Sequence, residues 1–491
     1  DLYVMNPLDP KSNRLLVPSK GRMLEVFDWA PDDKKAVFVE NISNESQGVI
    51  WMVDVATGEK NLLTPKAGSK VGSYYDSPQF GKDGKGVYVS TDHDSEFRRL
   101  AFLDLATKQY KYLTDHIKWN VSEFKLAPDG KTVAFVNNED GISRLHLLDT
   151  KTEQEKRVQG LPIGIISNLH WHNNSVDLAF SFESARTPTD IYALNARTEK
   201  IEPWAKGVTN GLDAEKFAEP QLIRWPSFDG REISGFLYRP PTTFKGKRPV
   251  IIDIHGGPDS QFQPRFLFDG NYFINELGVA RIYPNVRGSA GYGRTFLRLD
   301  DGTRRMDAVK DIGALLDWIK KQPDLDAERV MVQGGSYGGY MALSVAMTYG
   351  DRIRAALSDS GMSNLATYVE RTERWRRDTR RVEYGDERDP KTREFLDRAA
   401  PLNNAAKITK PVMIVQGERD PRVKASESKQ VVQSLRKHNP NVWFLLGMNE
   451  GHFFAQPVNR EFQLLTTILF VKEHLLKPEQ VSRYSPQPSA P

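Results

Sequence analysis

The chain is 491 residues long, enough for more than one domain. Hydrophobic residues are 39% and charged residues 27%, as in water-soluble globular proteins, and a formal charge of +4 gives no case for nucleic acid or an anionic membrane as partner. The absence of cysteine excludes disulfides, thiolate catalysis and cysteine metal sites but leaves the compartment open. No uninterrupted apolar run approaches the roughly 18 residues of a membrane span.

The first half is repetitive. A turn followed by a short apolar strand recurs as Trp29–Val39, Phe80–Val89, Leu126–Val136 and, degraded, His172–Phe180. The turn residues Asp32, Asp83, Asp129 and Asn174 are spaced 51, 46 and 45 residues apart. A second strand is interleaved at a similar period, as Trp51–Asp54, Ala101–Asp104, His146–Asp149 and Tyr192–Asn195. Repeats of about 40–50 residues built from short strands predict the blades of an all-β propeller. Asp-Gly pairs suit the tight turns because they tolerate positive φ. Leu2–Asn6 matches the second strand, so the sequence predicts about four and a half blades, with either a missing N-terminal portion, the favoured reading, or an unusual closure of the ring. His170 and His172, two apart, would share one strand face. No third ligand accompanies them, so they read as packing or surface residues and no metal site is expected.

After Thr209-Asn210-Gly211 the period is lost. Ile223–Tyr238 reads as a hairpin turning at Asp229-Gly230. From there strands and helices alternate, which predicts a mostly parallel sheet covered on both faces. Pro249–Ile254 and Ala280–Pro284 are strands. Val309, Ile312, Leu316 and Ile319 mark the buried face of a helix. A closing helix over about 462–476 is expected to dock by Phe462, Leu465 and Leu469. These readings divide the chain into a propeller over 1–211, a catalytic domain over 212–480 and a tail over 481–491.

The second half carries the chemistry. Val330–Val332 runs into Gly334-Gly335-Ser336-Tyr337-Gly338-Gly339, and a helix candidate follows. Strand, sharp turn and helix around Gly-x-Ser-x-Gly is the context of a nucleophile elbow. Such turns also occur as plain connections, but two later strands each deliver one polar residue. Val412–Val415 leads to Asp420, and Val442–Leu446 leads to His452. The chain order Ser, Asp, His is that of the α/β-hydrolase fold. Ser336 would attack, His452 would take its proton, and Asp420 would hold the imidazole tautomer. Glu418 and Asp359 compete with Asp420 for the third role. The oxyanion donors would be the N–H groups of Tyr337 and of Gly257, in His255-Gly256-Gly257-Pro258. His255 reads as a residue that holds this loop. The arginine-rich stretch 370–381 suits carboxylate capture, with Arg374 and Arg377 as candidate substrate contacts. Its simpler reading is a solvated helix with local pairs such as Glu373 with Arg377.

These stretches, with Asn285–Gly293, Asp420-Pro421-Arg422-Val423 and Gly451-His452, resemble the prolyl oligopeptidase family of serine peptidases over essentially the whole chain. Ser336–Tyr340 together with His-Gly-Gly-Pro looks most like its acylaminoacyl-peptidase and dipeptidyl-peptidase-like branches. The resemblance implies cofactor-free hydrolysis of short peptides by acyl transfer, and frequent homo-oligomerisation. It implies that Arg422 binds a substrate carbonyl and that Val423 and Tyr337 border the pocket for the residue before the scissile bond. Phe453 stands where the family often has glycine. An acylaminoacyl-type exopeptidase or oligopeptidase leads. The alternatives are carboxypeptidase-like or dipeptidyl-peptidase specificity, a carboxylesterase, and a propeller binding module with an inactive hydrolase domain.

Overall fold

A computed structural model describes residues 1–42, 47–65, 72–209, 211 and 213–476. The expected tail over 481–491 lies outside the described residues. The chain forms two compact units. The first holds residues 1–212 together with 263–266 and 290–297, and the second holds 213–262, 267–289 and the chain from 298 onward. The expected boundary at residues 211 and 212 places both short inserts, 263–266 and 290–297, in the catalytic domain. Side chains explain the second insert: Arg294 Nε donates to Asp92 Oδ2 at 3.1 Å, and the Thr295 N–H donates to Glu96 Oε1 at 2.6 Å.

Among the described residues the first unit contains one two-stranded antiparallel sheet, Leu2–Asn6 with Asp9–Val17, and four four-stranded sheets. The two repeated sequence elements become the second and third strands of the four-stranded sheets. They are Lys35–Asn41 and Gly48–Asp54, Gly86–Thr91 and Arg99–Asp104, Thr132–Glu139 and Ile142–Asp149, and Asp177–Glu183 and Asp190–Asn195. The turn entering the second strand needs a left-handed residue. Asp33, Gly84, Gly130 and Ser175 supply it, with φ of 58°, 67°, 75° and 57°. The third strand ends on Asp54, Asp104, Asp149 or Asn195. Each of these side chains accepts the N–H groups two and three residues on, closing the next turn.

Neighbouring sheets are tied by a recurring bridge from the first strand of one to the first strand of the next. Asp28 accepts the Phe80 N–H at 2.8 Å, Gln79 the Leu126 N–H at 3.3 Å, and Glu123 the Leu169 N–H at 2.6 Å. His170 lies on the strand Ile165–Trp171, whereas His172 lies beyond its end and caps the following turn, so the two do not share a strand.

The second unit is an eight-stranded sheet. Its strands are β1 (Gln221–Pro226), β2 (Glu232–Tyr238), β3 (Arg248–Ile254), β4 (Ala280–Asn285), β5 (Leu325–Gly335), β6 (Ala355–Asp359), β7 (Val412–Gly417) and β8 (Val442–Gly447). Their order is β1-β2-β4-β3-β5-β6-β7-β8. The β1–β2 hairpin and the β2–β4 pair are antiparallel, and every other neighbouring pair is parallel. Strands buried on both faces are continuous apolar runs, as in Val250-Ile251-Ile252 and Val412–Val415. Helix α1 (Met306–Lys320) buries Val309, Ile312, Leu316 and Ile319, and α2 (Tyr337–Thr348) follows β5 directly.

The closing helix, α3 (Pro457–His474), differs from expectation. It docks by Ile468, Phe470 and Val471, while Phe462, Leu465 and Leu469 are 58%, 52% and 59% exposed. Among the described residues no helix is long and apolar enough to cross a membrane.

Candidate active site

Ser336 sits between the end of β5 and the start of α2 with φ 57° and ψ −118°, a conformation L-residues adopt only under constraint. The constraint is visible. Its N–H donates to the Asp359 carbonyl on β6 at 2.8 Å, and its carbonyl accepts from the Gly339 and Tyr340 N–H groups. A Cβ on Gly338 would stand 1.9 Å from the Ile254 carbonyl oxygen, and one on Gly334 would stand 2.5 Å from the same atom. The two motif glycines therefore let α2 and β5 close on β3, and that closure pushes the serine to the tip.

Beyond the ends of β7 and β8, Asp420 and His452 meet. His452 Nδ1 donates to Asp420 Oδ2 at 2.7 Å. Asp420 is 2% exposed, and its other oxygen accepts the N–H groups of Arg422 and Val423 at 2.7 and 3.0 Å. Gln416 adds a third donor, to Oδ2, at 3.2 Å. With Nδ1 protonated and held, Nε2 is the lone-pair nitrogen of a neutral imidazole. The competing carboxylates lie elsewhere: Glu418 accepts from Lys429, and Asp359 accepts from Gln463 through Oδ2 while its Oδ1 lies 2.9 Å from Ser360 Oγ.

The glycine loop after β3 is held from both sides. His255 Nδ1 donates to the Gly256 carbonyl at 2.7 Å, and its Nε2 lies 2.8 Å from Ser289 Oγ. Burial pushes the His255 imidazole below the usual histidine range, favouring the neutral form. The Gly256 carbonyl and the Gly257 N–H share one trans peptide plane and point opposite ways, so this bond aims the N–H. Gly257 has φ +120°, and a Cβ there would stand 2.6 Å from the Asp259 nitrogen. Its carbonyl accepts from Arg380 Nη1 at 3.2 Å and from the Tyr384 hydroxyl at 3.4 Å.

The Tyr337 ring is fully buried rather than presented to solvent. Its hydroxyl donates to Asp300 Oδ2 at 3.1 Å, and Asp300 pairs with the fully buried Arg305. Arg305 in turn donates to the Glu383 carbonyl at 2.6 Å. Val423 is buried beside Asp420, and Arg422 is exposed. The arginine-rich stretch forms a helix, Arg374–Tyr384. Arg374 is exposed, and Arg377 donates to the Thr372 carbonyl at 3.1 Å. Glu373 pairs with Lys424 at 2.5 Å instead of with Arg377. Arg380 of this helix reaches the glycine loop. Only its helical register separates it from its neighbours, so composition could not single it out.

Two family models match the chain. The prolyl oligopeptidase N-terminal β-propeller domain matches residues 26–207, and the prolyl oligopeptidase family model matches residues 266–478. The chain belongs to the prolyl oligopeptidase family. Its curated relatives include dipeptidyl aminopeptidase BIII of Pseudoxanthomonas mexicana, 25% identical over 87% of this chain and 56% of the relative. Dipeptidyl-peptidase 5 of Porphyromonas gingivalis is also 25% identical, over 89% of this chain and 65% of the relative. The chain thus spans less than two thirds of the length of these relatives. Among solved structures, a Mycobacterium tuberculosis puromycin-hydrolyzing peptidase shares the fold. It superposes with TM-score 0.85 at 19% identity, covering 95% of this chain and 72% of that one. A propeller followed by an α/β-hydrolase domain is the architecture of this prolyl oligopeptidase family member.

Proposed function

We propose that this protein is a serine peptidase that hydrolyses short peptides by acyl transfer, with Ser336 as nucleophile, His452 as base and Asp420 as the residue that orients the base. The observation that carries this reading is the 2.7 Å contact from His452 Nδ1 to Asp420 Oδ2, on loops beyond the same sheet end as the Ser336 elbow. His452 Nε2 takes the Ser336 proton as Oγ adds to the scissile carbonyl. The N–H groups of Tyr337 and Gly257 receive the oxyanion, and the imidazolium returns its proton to the leaving amine. Water then repeats the sequence on the acyl-enzyme. Every group the cycle needs comes from the chain, so the reading assigns no cofactor.

Exopeptidase action on the N-terminal side of short peptides is the specificity this reading favours. Two relatives matched over 87% and 89% of this chain are named as dipeptidyl peptidases, one matched over 84% is named a prolyl oligopeptidase, and an acylamino-acid-releasing enzyme of Rattus norvegicus matches over 47% of it. Arg422 and Val423, adjoining Asp420 in sequence, are the proposed substrate contacts. Arg374 and Arg377 remain candidates for a substrate carboxylate.

Mass spectrometry of products from short peptides, free, N-acetylated or C-amidated, tests the reading against a Ser336→Ala control. Dipeptides released only from free N-termini support the dipeptidyl form. A single acylated residue supports the acylaminoacyl form, and cleavage of simple esters alone supports a carboxylesterase.

We also propose a homo-oligomer. Val458, Phe462, Leu465 and Leu469 form an exposed apolar stripe on α3, beside the edge strand β8. A monomeric mass in light scattering at micromolar concentration rejects it.

A further inference from the structure

Asp359 ends β6, next to the nucleophile strand, and the triad has no use for its carboxyl group. Its main-chain carbonyl already holds the Ser336 N–H. Its side chain faces Gln463 on α3 and lines a cleft of about 370 Å³. Gln463 Nε2 donates to Oδ2 at 2.8 Å, which leaves Oδ1 facing Ser360 Oγ at 2.9 Å.

Ser360 is 1% exposed, and its hydroxyl also donates to the main-chain carbonyl of His452. A hydroxyl has one proton. The His452 carbonyl can only accept, so the Ser360 proton belongs there. The contact between Oδ1 and Oγ is then a hydrogen bond only if its proton sits on Asp359. Hydrogen-bond bookkeeping therefore asks for a neutral Asp359 in the arrangement observed.

We propose that Asp359 is a positioning residue: carrying a proton, it donates to Ser360, which donates to the His452 main chain and fixes the seat of the base. This rests on the reading of Ser336, His452 and Asp420 as a triad. Burial pushes the Asp359 carboxyl up to about 6, against the lowering effect of Ser360, Gln463 and the His452 charge; the Asp420 carboxylate adds to the rise. Asp253 from β3, Asp269, and Arg460 from α3 line the same cleft. Asp253 is already occupied by Arg281 and by Gln333. When Asp359 ionises, its proton leaves through the cleft and Ser360 turns its own proton to the new carboxylate. The His452 carbonyl then loses its donor, while a negative charge appears near the imidazole. Ionisation thus loosens the seat and raises the affinity of His452 for a proton.

The test is the rate at which a fluorophosphonate labels Ser336 from pH 5 to 9, read by intact mass, in the wild type, Asp359→Asn and Ser360→Ala. Labelling needs no knowledge of the peptide substrate. Asparagine keeps the shape, keeps a donor toward Ser360 and removes the charge. Its acid limb is expected to move to lower pH by about half a unit. Ser360→Ala cuts the chain and is expected to lower the plateau about tenfold, by analogy with other lost orienting contacts. A purely structural role would leave the limb where it is. Superimposable wild-type and Asp359→Asn profiles, or a Ser360→Ala plateau within about twofold of wild type, overturn the relay alone. Wild-type protein that takes no label at any pH overturns the triad reading and the relay with it.

Discussion

His452 presents Nδ1 to Asp420 at 2.7 Å, and Asp420 is in turn gripped by the N–H groups of Arg422 and Val423. The carboxylate is thus fixed by main chain two and three residues further along its own loop, and the imidazole inherits that rigidity. Asp420→Asn keeps the shape but turns an amide toward Nδ1 or forces the other tautomer. We expect kcat to fall about 10⁴-fold with little change in KM. Steady-state kinetics on any cleaved peptide or ester checks this, and a loss under tenfold contradicts the role.

The elbow is a packing device as much as a chemical one. Gly338→Ala places a methyl 1.9 Å from the Ile254 carbonyl, where no side chain can swing aside. Destabilisation of about 1–3 kcal/mol or more follows from overpacking. Gly350→Ala is the control, since the nearest atom to its added Cβ is 3.9 Å away. Chemical denaturation of both variants decides; equal midpoints would refute the close approach.

Beneath Tyr337 lies the pair of Asp300 and Arg305, 1% and 0% exposed. Asp300→Ala strands a buried guanidinium and frees the Tyr337 hydroxyl. The expected loss is about 3–5 kcal/mol. In an Asp300→Ala/Arg305→Met double variant much of it should return, because the unpaired charge is gone. If both variants unfold at the same denaturant concentration, the stranded charge is not the cause.

Two donors hold the Gly257 carbonyl, Arg380 Nη1 and the Tyr384 hydroxyl. Removing one should let the oxyanion loop drift. Arg380→Met is expected to lower kcat about tenfold with KM near wild type, since the contact positions a group used in the transition state. A rise in KM at constant kcat would instead make Arg380 a ground-state substrate contact.

The stability of the second unit should carry the signature of Asp359. Its folded value, about 6, lies above the ordinary carboxylate value of 3.8. The native state therefore binds the extra proton between about pH 4 and pH 6, and stability falls as pH rises through that window and stays lowered above it. The deficit is of order 3 kcal/mol at neutral pH. Asp359→Asn removes it. The variant should melt above the wild type at pH 7.5 and level with it at pH 4; the opposite order would show that the ionised form is the stabilising one.

Much of this was legible beforehand because it is local. The propeller announced itself through turns that need a left-handed residue at each copy, even where Asp-Gly had decayed to Asn174-Ser175. The elbow is legible because Gly338 and Gly334 are forced by contact, so their identity cannot vary freely. What was misread depends on which way a face turns. Phe462, Leu465 and Leu469 have helical spacing, but spacing shows only that a stripe exists, not whether the core lies under it; Ile468, Phe470 and Val471 do that work. Likewise the reach of Arg380 to the glycine loop depends on how its helix is seated, and one contact that seats it comes from Arg305, which donates to the Glu383 carbonyl from 78 residues away in sequence. The link from Asp359 through Ser360 to His452 joins positions 92 residues apart and leaves no pattern in the chain.

The bridges from Asp28 to Phe80, Gln79 to Leu126 and Glu123 to Leu169 join each four-stranded sheet to the next. Damage to one of them is felt by the two sheets it joins and by no others, so the unit should fail in segments rather than all at once. Inheritance follows the same rule. A duplicated copy brings its own donor and its own acceptor, and the seam on either side is made by residues already suited to it. Such an architecture can change its number of blades in a single genetic event and still find every new neighbour complementary.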